Sequence, residues 1–307
     1  MYGMFYNATS FDQNIGSWDV SAVISIDGFM IGKTPYTFSF QNLNAIYNGW
    51  SLLTLNPNLT INFGTAQYSI DGQSGRDVLT NAPNNWTIID GGMIPLPTPT
   101  PTNTQTQTPT NTETPTSTLT PTQTPTNTQT PTQTPSSTPL PPFTSTWRTT
   151  TTNETVTLPY YNTGTYDGII DWGDGNLSAN TYANRTHTYS VAGDYTITIT
   201  GNVTGFRFNN TGDKSKILSV SRWGSLKLGT GLGNFYGCDN LTLSSVVDVL
   251  NLNGTTSFES LFAGCTSLTT INRVNDWDTS NITSLYNTFA DATSFNQSLS
   301  GWNTSNV

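Results

Sequence analysis

Asp171, Asp174 and His187 come nearest to a chemical constellation in this chain. The run Asp171-Trp172-Gly173-Asp174-Gly175 offers two carboxylates, which are ligands for a hard cation such as calcium. Two are too few on their own. Asp beside Gly more often builds a turn in which the carboxylate accepts backbone N–H bonds. His187 is the single histidine, and it stands two residues before Tyr189. A catalytic triad needs a positioned Ser or Cys nucleophile, and no such pattern accompanies it; a structural histidine is expected. The two cysteines, Cys238 and Cys265, cannot make a disulfide framework. Stacked backbones about 4.8 Å apart would bring them within disulfide reach. Side-by-side geometry often misdirects the sulfurs, so buried thiols serving as apolar fillers are expected. No catalytic, cofactor-binding or metal-ligating residue is assigned, no cofactor is called for, and the chain is expected not to be an enzyme.

Composition narrows the partners. Asp and Glu number 19 against 10 Lys and Arg, a net charge of −9. Charged residues make up 9% of the chain, against about 25% in an ordinary soluble protein. Polarity comes instead from Thr, Asn, Ser and Gly. Nucleic-acid binding needs clustered cations on phosphates, so it is excluded as an expectation. A polybasic grip on anionic membranes is equally disfavoured. No apolar run reaches the ~18 residues of a spanning helix, so no membrane insertion is expected within this segment. Met1-Tyr2-Gly3-Met4-Phe5 lacks the basic stretch of a secretory signal.

Self-similarity organises the rest. Residues 1–23 match 285–307 without a gap: Tyr2 falls on Tyr286, Phe5 on Phe289, Phe11 on Phe295, Trp18 on Trp302 and Val23 on Val307. Earlier units begin at Phe235-Tyr236-Gly237-Cys238 and Leu261-Phe262-Ala263-Gly264-Cys265. A period of about 25 residues with fixed apolar places predicts repeats that bury one another's apolar faces. Asp278-Thr279-Ser280-Asn281-Ile282 predicts a turn and a short extended piece. Leu285-Tyr286-x-x-Phe289 has the spacing of one helical turn. These residues resemble BspA-like (DUF285-type) leucine-rich repeats of bacterial and protist surface proteins. In that family the place of Met1 is an internal position, so the resemblance implies a piece of a longer polypeptide that starts and stops within repeats.

The resemblance continues elsewhere. Phe40–Trp50 reads as a short amphipathic helix, 60–63 as a strand, 75–79 as the start of a second helix, and 86–92 as a strand ending in a glycine turn. That order is similar to the closing segment of BspA-like arrays. Thr occupies every even position from 98 to 134, with Pro recurring between. Such a tract lacks apolar surface to repay ordering. Polyproline II would let it span roughly 100–150 Å, as an O-glycosylated stalk or a bare linker. Alternating runs at 154–158, 168–172 and 195–200 predict a small antiparallel sandwich. Its blocks Asp171–Gly175, His187-Thr188-Tyr189 and Ala192-Gly193-Asp194-Tyr195 resemble the PKD domain pattern.

The expected fold class is thus α+β or β-rich: leucine-rich-repeat solenoid segments flanking a disordered Thr/Pro linker and a small PKD-like β-sandwich. The domains are 1–93 (repeat end with cap), 94–142 (stalk), 143–205 (sandwich) and 206–307 (repeats). Asn-x-Ser/Thr sites recur from Asn7 to Asn303 and, with the stalk, favour an extracellular or cell-surface setting. Resemblance implies adhesion, with an extracellular protein or glycan as ligand, bound multivalently. The alternatives are an accessory region of a secreted hydrolase and a structural component of a surface or viral fibre.

Overall fold

The computed structural model describes residues 1–95 and 140–307, in which Met1–Ile94 and Leu140–Val307 form one compact unit. The stalk expected over 94–142 lies, from 96 to 139, outside the described residues.

Helix α1 (Phe40–Trp50) buries Leu43, Ile46, Tyr47 and Trp50. Their 3-1-3 spacing aligns them on one face. Strand β1 (Thr60–Asn62) follows, then α2 (Ile70–Thr80) and β2 (Thr87–Ile89). β1 and β2 pair in parallel, Ile61 opposite Ile88. α2 begins five residues before Gly75 because Ser69 caps it, its hydroxyl accepting from the Asp71 N–H at 3.3 Å. Tyr47 and Arg76 converge on Asp90: the Tyr47 hydroxyl donates to Oδ2 at 2.6 Å and Arg76 Nε to the same oxygen at 2.8 Å. They tie both helices to the turn after β2.

α1 lies directly on the first repeat at a glycine contact. A Cβ on Gly49 would overlap the Gly16 carbonyl, and one on Gly16 would overlap the Ala45 carbonyl. Helix propensity alone would favour Gly49→Ala by about 1 kcal/mol. The backbone overlap reverses the sign: Gly49→Ala is expected to lose about 1–3 kcal/mol net, read as a lower urea midpoint. An unchanged or raised midpoint would show that α1 does not sit this closely.

The second half is built on sheets. Strands β3 (Phe143–Thr149), β4 (Glu154–Thr157), β5 (Ile169–Asp171), β6 (Leu177–Ala179), β7 (Thr186–Tyr189), β8 (Gly193–Ile199), β9 (Val203–Thr204), β10 (Ile217–Arg222) and β11 (Leu226–Lys227) follow in order. Five form an antiparallel sheet in the order β10-β3-β8-β5-β6. β4 pairs antiparallel with β7, and β9 parallel with β11. Trp147, Ile170, Ile197 and Ile199 are fully buried, as alternation requires of a sheet with one dry face. β10 lies beyond the expected boundary at 205 and completes the sheet from its edge.

The expected fold class needs correction. Among the described residues the chain is β-rich, with several small sheets and only two α-helices, and it contains no leucine-rich-repeat solenoid. The repeats are chiefly turns, joined by single parallel bridges such as Leu243 to Ile271 and Ser257 to Ser284. Turn residues stop pairing after one residue: Asn7, Ser260, Asn287 and Asp291 all have positive φ, a conformation incompatible with continuing a strand. For the same reason 285–289 is no helical turn; Asn287, at φ 50°, interrupts it.

The apolar periodicity is nevertheless satisfied repeat by repeat. Phe235 stacks on Phe262 at 5.8 Å, Phe262 on Phe289 at 5.7 Å, and Phe289 on Phe5 at 5.9 Å. The indole N–H groups of Trp302, Trp18 and Trp50 donate to the carbonyls of Val274, Leu299 and Ile15. Asp19, Asp278 and Asn303 each accept the N–H and hydroxyl of the residue two further on, Ser21, Ser280 and Ser305. Residues 1–23 therefore pack against 285–307 in one stack.

Candidate binding site

The residues singled out by chemistry form a clasp in the sheet module. Asp171 Oδ1 accepts the Gly173 N–H at 2.9 Å, and Asp174 Oδ1 accepts that of Asn176 at 3.1 Å. Asp174 Oδ2 accepts from Asn176 Nδ2 at 3.0 Å and meets His187 Nε2 at 2.8 Å. Burial opposes ionisation of Asp174, but hydrogen bonds from His187 and Asn176 outweigh it and hold the carboxyl below the usual range. The His187 ring stacks on Trp172 at 5.0 Å and meets Tyr189 edge-on at 4.7 Å. Tyr189 donates its hydroxyl to the Trp172 carbonyl at 2.8 Å and stacks on Tyr195 at 3.8 Å. These contacts fasten β7 to the turn after β5. Among the described residues no three His, Cys, Asp or Glu side chains gather as a metal site.

Cys238 and Cys265 are both buried and free. Cys265 Sγ donates to the Phe235 carbonyl at 3.1 Å, and burial pushes both thiols up. A thiol held protonated is a poor nucleophile.

Surface chemistry concentrates elsewhere, at Tyr161 and Arg207. The Arg207 N–H donates to the Pro159 carbonyl at 2.8 Å, and Tyr161 N–H to the Gly205 carbonyl at 2.8 Å. These two bonds set the side chains against each other: the guanidinium carbon lies 3.8 Å from the Tyr161 ring centroid. Tyr166, stacked on Tyr160 at 4.0 Å, pins the loop by donating to the Tyr161 carbonyl and accepting the Tyr161 N–H, each at 2.8 Å. Among the described residues the Arg207 side chain has no hydrogen-bond or salt-bridge partner, so its fixed donor fork is available.

The stacked pair forms a ridge between two shallow clefts. One, of about 240 Å³, is floored by Gly164, Gly205 and Gly229–Gly231. The other, of about 280 Å³, is lined by Thr157, Arg185, Asn209 and Asp213. Asp213 is already engaged, with Lys216 at 3.0 Å and the Thr157 N–H at 2.7 Å. Arg185 stacks on Tyr182 at 3.9 Å. Both volumes fall below the roughly 300–1,000 Å³ of a cofactor or drug-sized pocket. They suit one sugar ring or one side chain. Sequence reading passed over this pair because Tyr161 and Arg207 are far apart along the chain. The available signal was an arginine next to Phe206 and Phe208 in a chain poor in cations.

Residues 1–47 and 232–307 match the family described as "Mycoplasma protein of unknown function, DUF285". These two segments are similar to that family. The matched regions include every member of the phenylalanine stack from Phe235 to Phe5 and leave out the sheet module, the clefts and α2. No curated protein and no solved structure matches the chain. No helix of the described residues is long and apolar enough to cross a membrane.

Proposed function

We propose that this chain is a non-enzymatic surface or extracellular protein that binds a carboxylate-bearing glycan at the Tyr161–Arg207 ridge. The DUF285-type segments act as the packed scaffold, in keeping with the resemblance to BspA-like surface proteins, and the module from 143 onward acts as a PKD-like binding domain. The observation that carries the reading is a guanidinium with no partner among the described residues, stacked on a tyrosine that is 43% exposed, in a chain of net charge −9. A planar guanidinium matches a carboxylate bidentately. The exposed tyrosine offers a rigid apolar face with a polar edge, the pairing that a sugar ring accepts. Arg185 on the wall of the second cleft adds a second cation for the same ligand.

The test is titration of the full chain with uronic-acid oligosaccharides, using a neutral glucan oligosaccharide as comparison. Binding is expected for the acidic probe and to weaken as salt is raised. Arg207→Ala and Tyr161→Ala are each expected to lose about tenfold or more in affinity, with the circular dichroism unchanged. Equal affinity for the neutral glucan, or full affinity in Arg207→Ala, would overturn the assignment.

A further inference from the structure

An asparagine followed by glycine exposes its side-chain amide to attack by the chain itself, because glycine sets no Cβ beside the attacking nitrogen. The sequence holds two such pairs, Asn48-Gly49 and Asn253-Gly254. The fold treats them differently.

Asn48 and Gly49 lie within α1, where each backbone N–H is committed to the carbonyl four residues earlier. Asn48 Nδ2 donates to the Asp71 carbonyl at 3.0 Å. Both reacting groups are therefore held. Asn253 and Gly254 instead lie in an exposed turn. Asn251 Oδ1 accepts the Asn253 N–H, and the Leu252 carbonyl accepts the Thr255 N–H, each at 2.9 Å. Those two bonds shape the turn and pass over Gly254. Among the described residues, the Gly254 N–H and the Asn253 side chain have no hydrogen-bond partner. Gly254 has a φ of 81°, and a Cβ placed there would meet nothing within 4 Å. Nitrogen and amide are adjacent, unbonded and open to water.

From these observations we propose that Asn253-Gly254 is a spontaneous modification site, where the Gly254 nitrogen turns the Asn253 amide into a carboxylate. The nitrogen gives its proton to hydroxide and attacks Asn253 Cγ. A C–N bond forms there, the bond from Cγ to Nδ2 breaks, and ammonia leaves. Water then opens the resulting five-membered imide at either carbonyl, giving aspartate or isoaspartate. The consequence is electrostatic. Asn253 borders a cleft of about 180 Å³ together with Asp276 and Asp278. Arg273 Nε already meets Asp276 at 2.9 Å, and Asp278 Oδ1 accepts from the Ser280 N–H and hydroxyl. The new carboxylate adds a further negative charge to that cleft. The isoaspartate product also inserts a backbone carbon between the two bonds that shape the turn. Conversion thus makes the cleft more acidic as the chain ages. The site is separate from the ridge at Tyr161 and stands whether or not that ridge binds a glycan.

Peptide mass mapping of the full chain tests the assignment. The chain is produced in a host without N-glycosylation, so that Asn253, which also heads an Asn-x-Thr site, keeps a bare amide. It is incubated folded at pH 6 and pH 9, and unfolded in urea as reference. The peptide containing Asn253 is expected to gain one mass unit, faster at pH 9, and to accept a methyl group from an isoaspartate methyltransferase. The Asn48 peptide is expected to lag by about tenfold or more in the folded chain, because reaction there waits on opening of α1. In urea it is expected to catch up. Asn253→Gln, whose longer side chain disfavours the ring, is expected to lose the acidic species that ion exchange resolves. Equal conversion of Asn48 and Asn253 in the folded chain, or conversion of Asn253 only in urea, would overturn the proposal.

Discussion

Phe289→Ala is expected to cost about 3–5 kcal/mol of stability, at the upper end of the usual range for a buried aromatic. Phe289 is fully buried. Its ring lies between Phe262 at 5.7 Å and Phe5 at 5.9 Å, with Phe295 against it at 4.1 Å. The cost of such a truncation depends on whether the surroundings can collapse into the space. Here they cannot. The Phe262 N–H is held to the Thr288 carbonyl and the Phe289 N–H to the Met4 carbonyl, both at 2.9 Å. Those bonds fix the repeat spacing from both sides, so Phe5 and Phe262 keep their distance and the void persists. Tyr286→Ala, on the same repeat but 38% exposed, is expected to change stability by less than about 1 kcal/mol. Urea unfolding of the two variants beside the parent chain checks the contrast. Similar losses in both would mean that 285–307 packs without a central aromatic stack.

The periodic aromatics were legible in the sequence because each has to meet its own counterpart one repeat away. An ungapped match between 1–23 and 285–307 carries that information without any knowledge of the backbone. α1 was legible for a related reason: Leu43, Ile46, Tyr47 and Trp50 repeat at the helical period. The conformation of the repeats was not legible. Leu285 and Phe289 share the spacing of a helical turn, yet a single asparagine in the left-handed region decides the backbone between them, and asparagine tolerates several conformations. The sheet edge was misplaced for another reason. β10 pairs with β3 across the whole run of β4 to β9, a long-range choice that local alternation does not reveal. The Tyr161–Arg207 ridge was hidden in the same way. Two backbone hydrogen bonds between distant loops create it, and neither residue type is informative alone.

Lys33 is the second site of large expected effect, and it makes stability depend on pH. Its side chain is buried. Nζ donates to the carbonyls of Ala8 and Phe11, the latter at 2.6 Å, and lies 5.8 Å from the ring centroids of Phe11 and Phe38. Burial pushes the amine down to about 7, with Asp12 opposing the shift. A neutral amine keeps two N–H bonds, enough for its two shortest contacts. Lys33→Ala is expected to lose about 3–5 kcal/mol, because it leaves a cavity and two buried carbonyls without a donor. The pH dependence follows from proton counting. Between pH 7 and about 10.5 the unfolded chain binds a proton at Lys33 that the folded chain has released. Stability therefore rises with pH across that window and is insensitive to this group below it. Buried tyrosines and thiols act oppositely at the alkaline end. Burial raises Tyr47, Tyr160 and Tyr189 and the thiols of Cys238 and Cys265, so the unfolded chain loses those protons first, the thiols from about pH 8.5 and the tyrosines from about pH 10, and each lowers stability above its range. Urea midpoints at pH 6, 7, 8 and 9 are expected to climb from 7 to 9 in the parent chain. In Lys33→Met, which keeps most of the packing volume but cannot titrate, the climb above about pH 8 is expected to vanish, while the buried Met1 amine, pushed down to about 6, keeps a smaller rise below that. A midpoint that falls between pH 7 and 9 in the parent, or an equal rise in Lys33→Met, would place the charge change on another group.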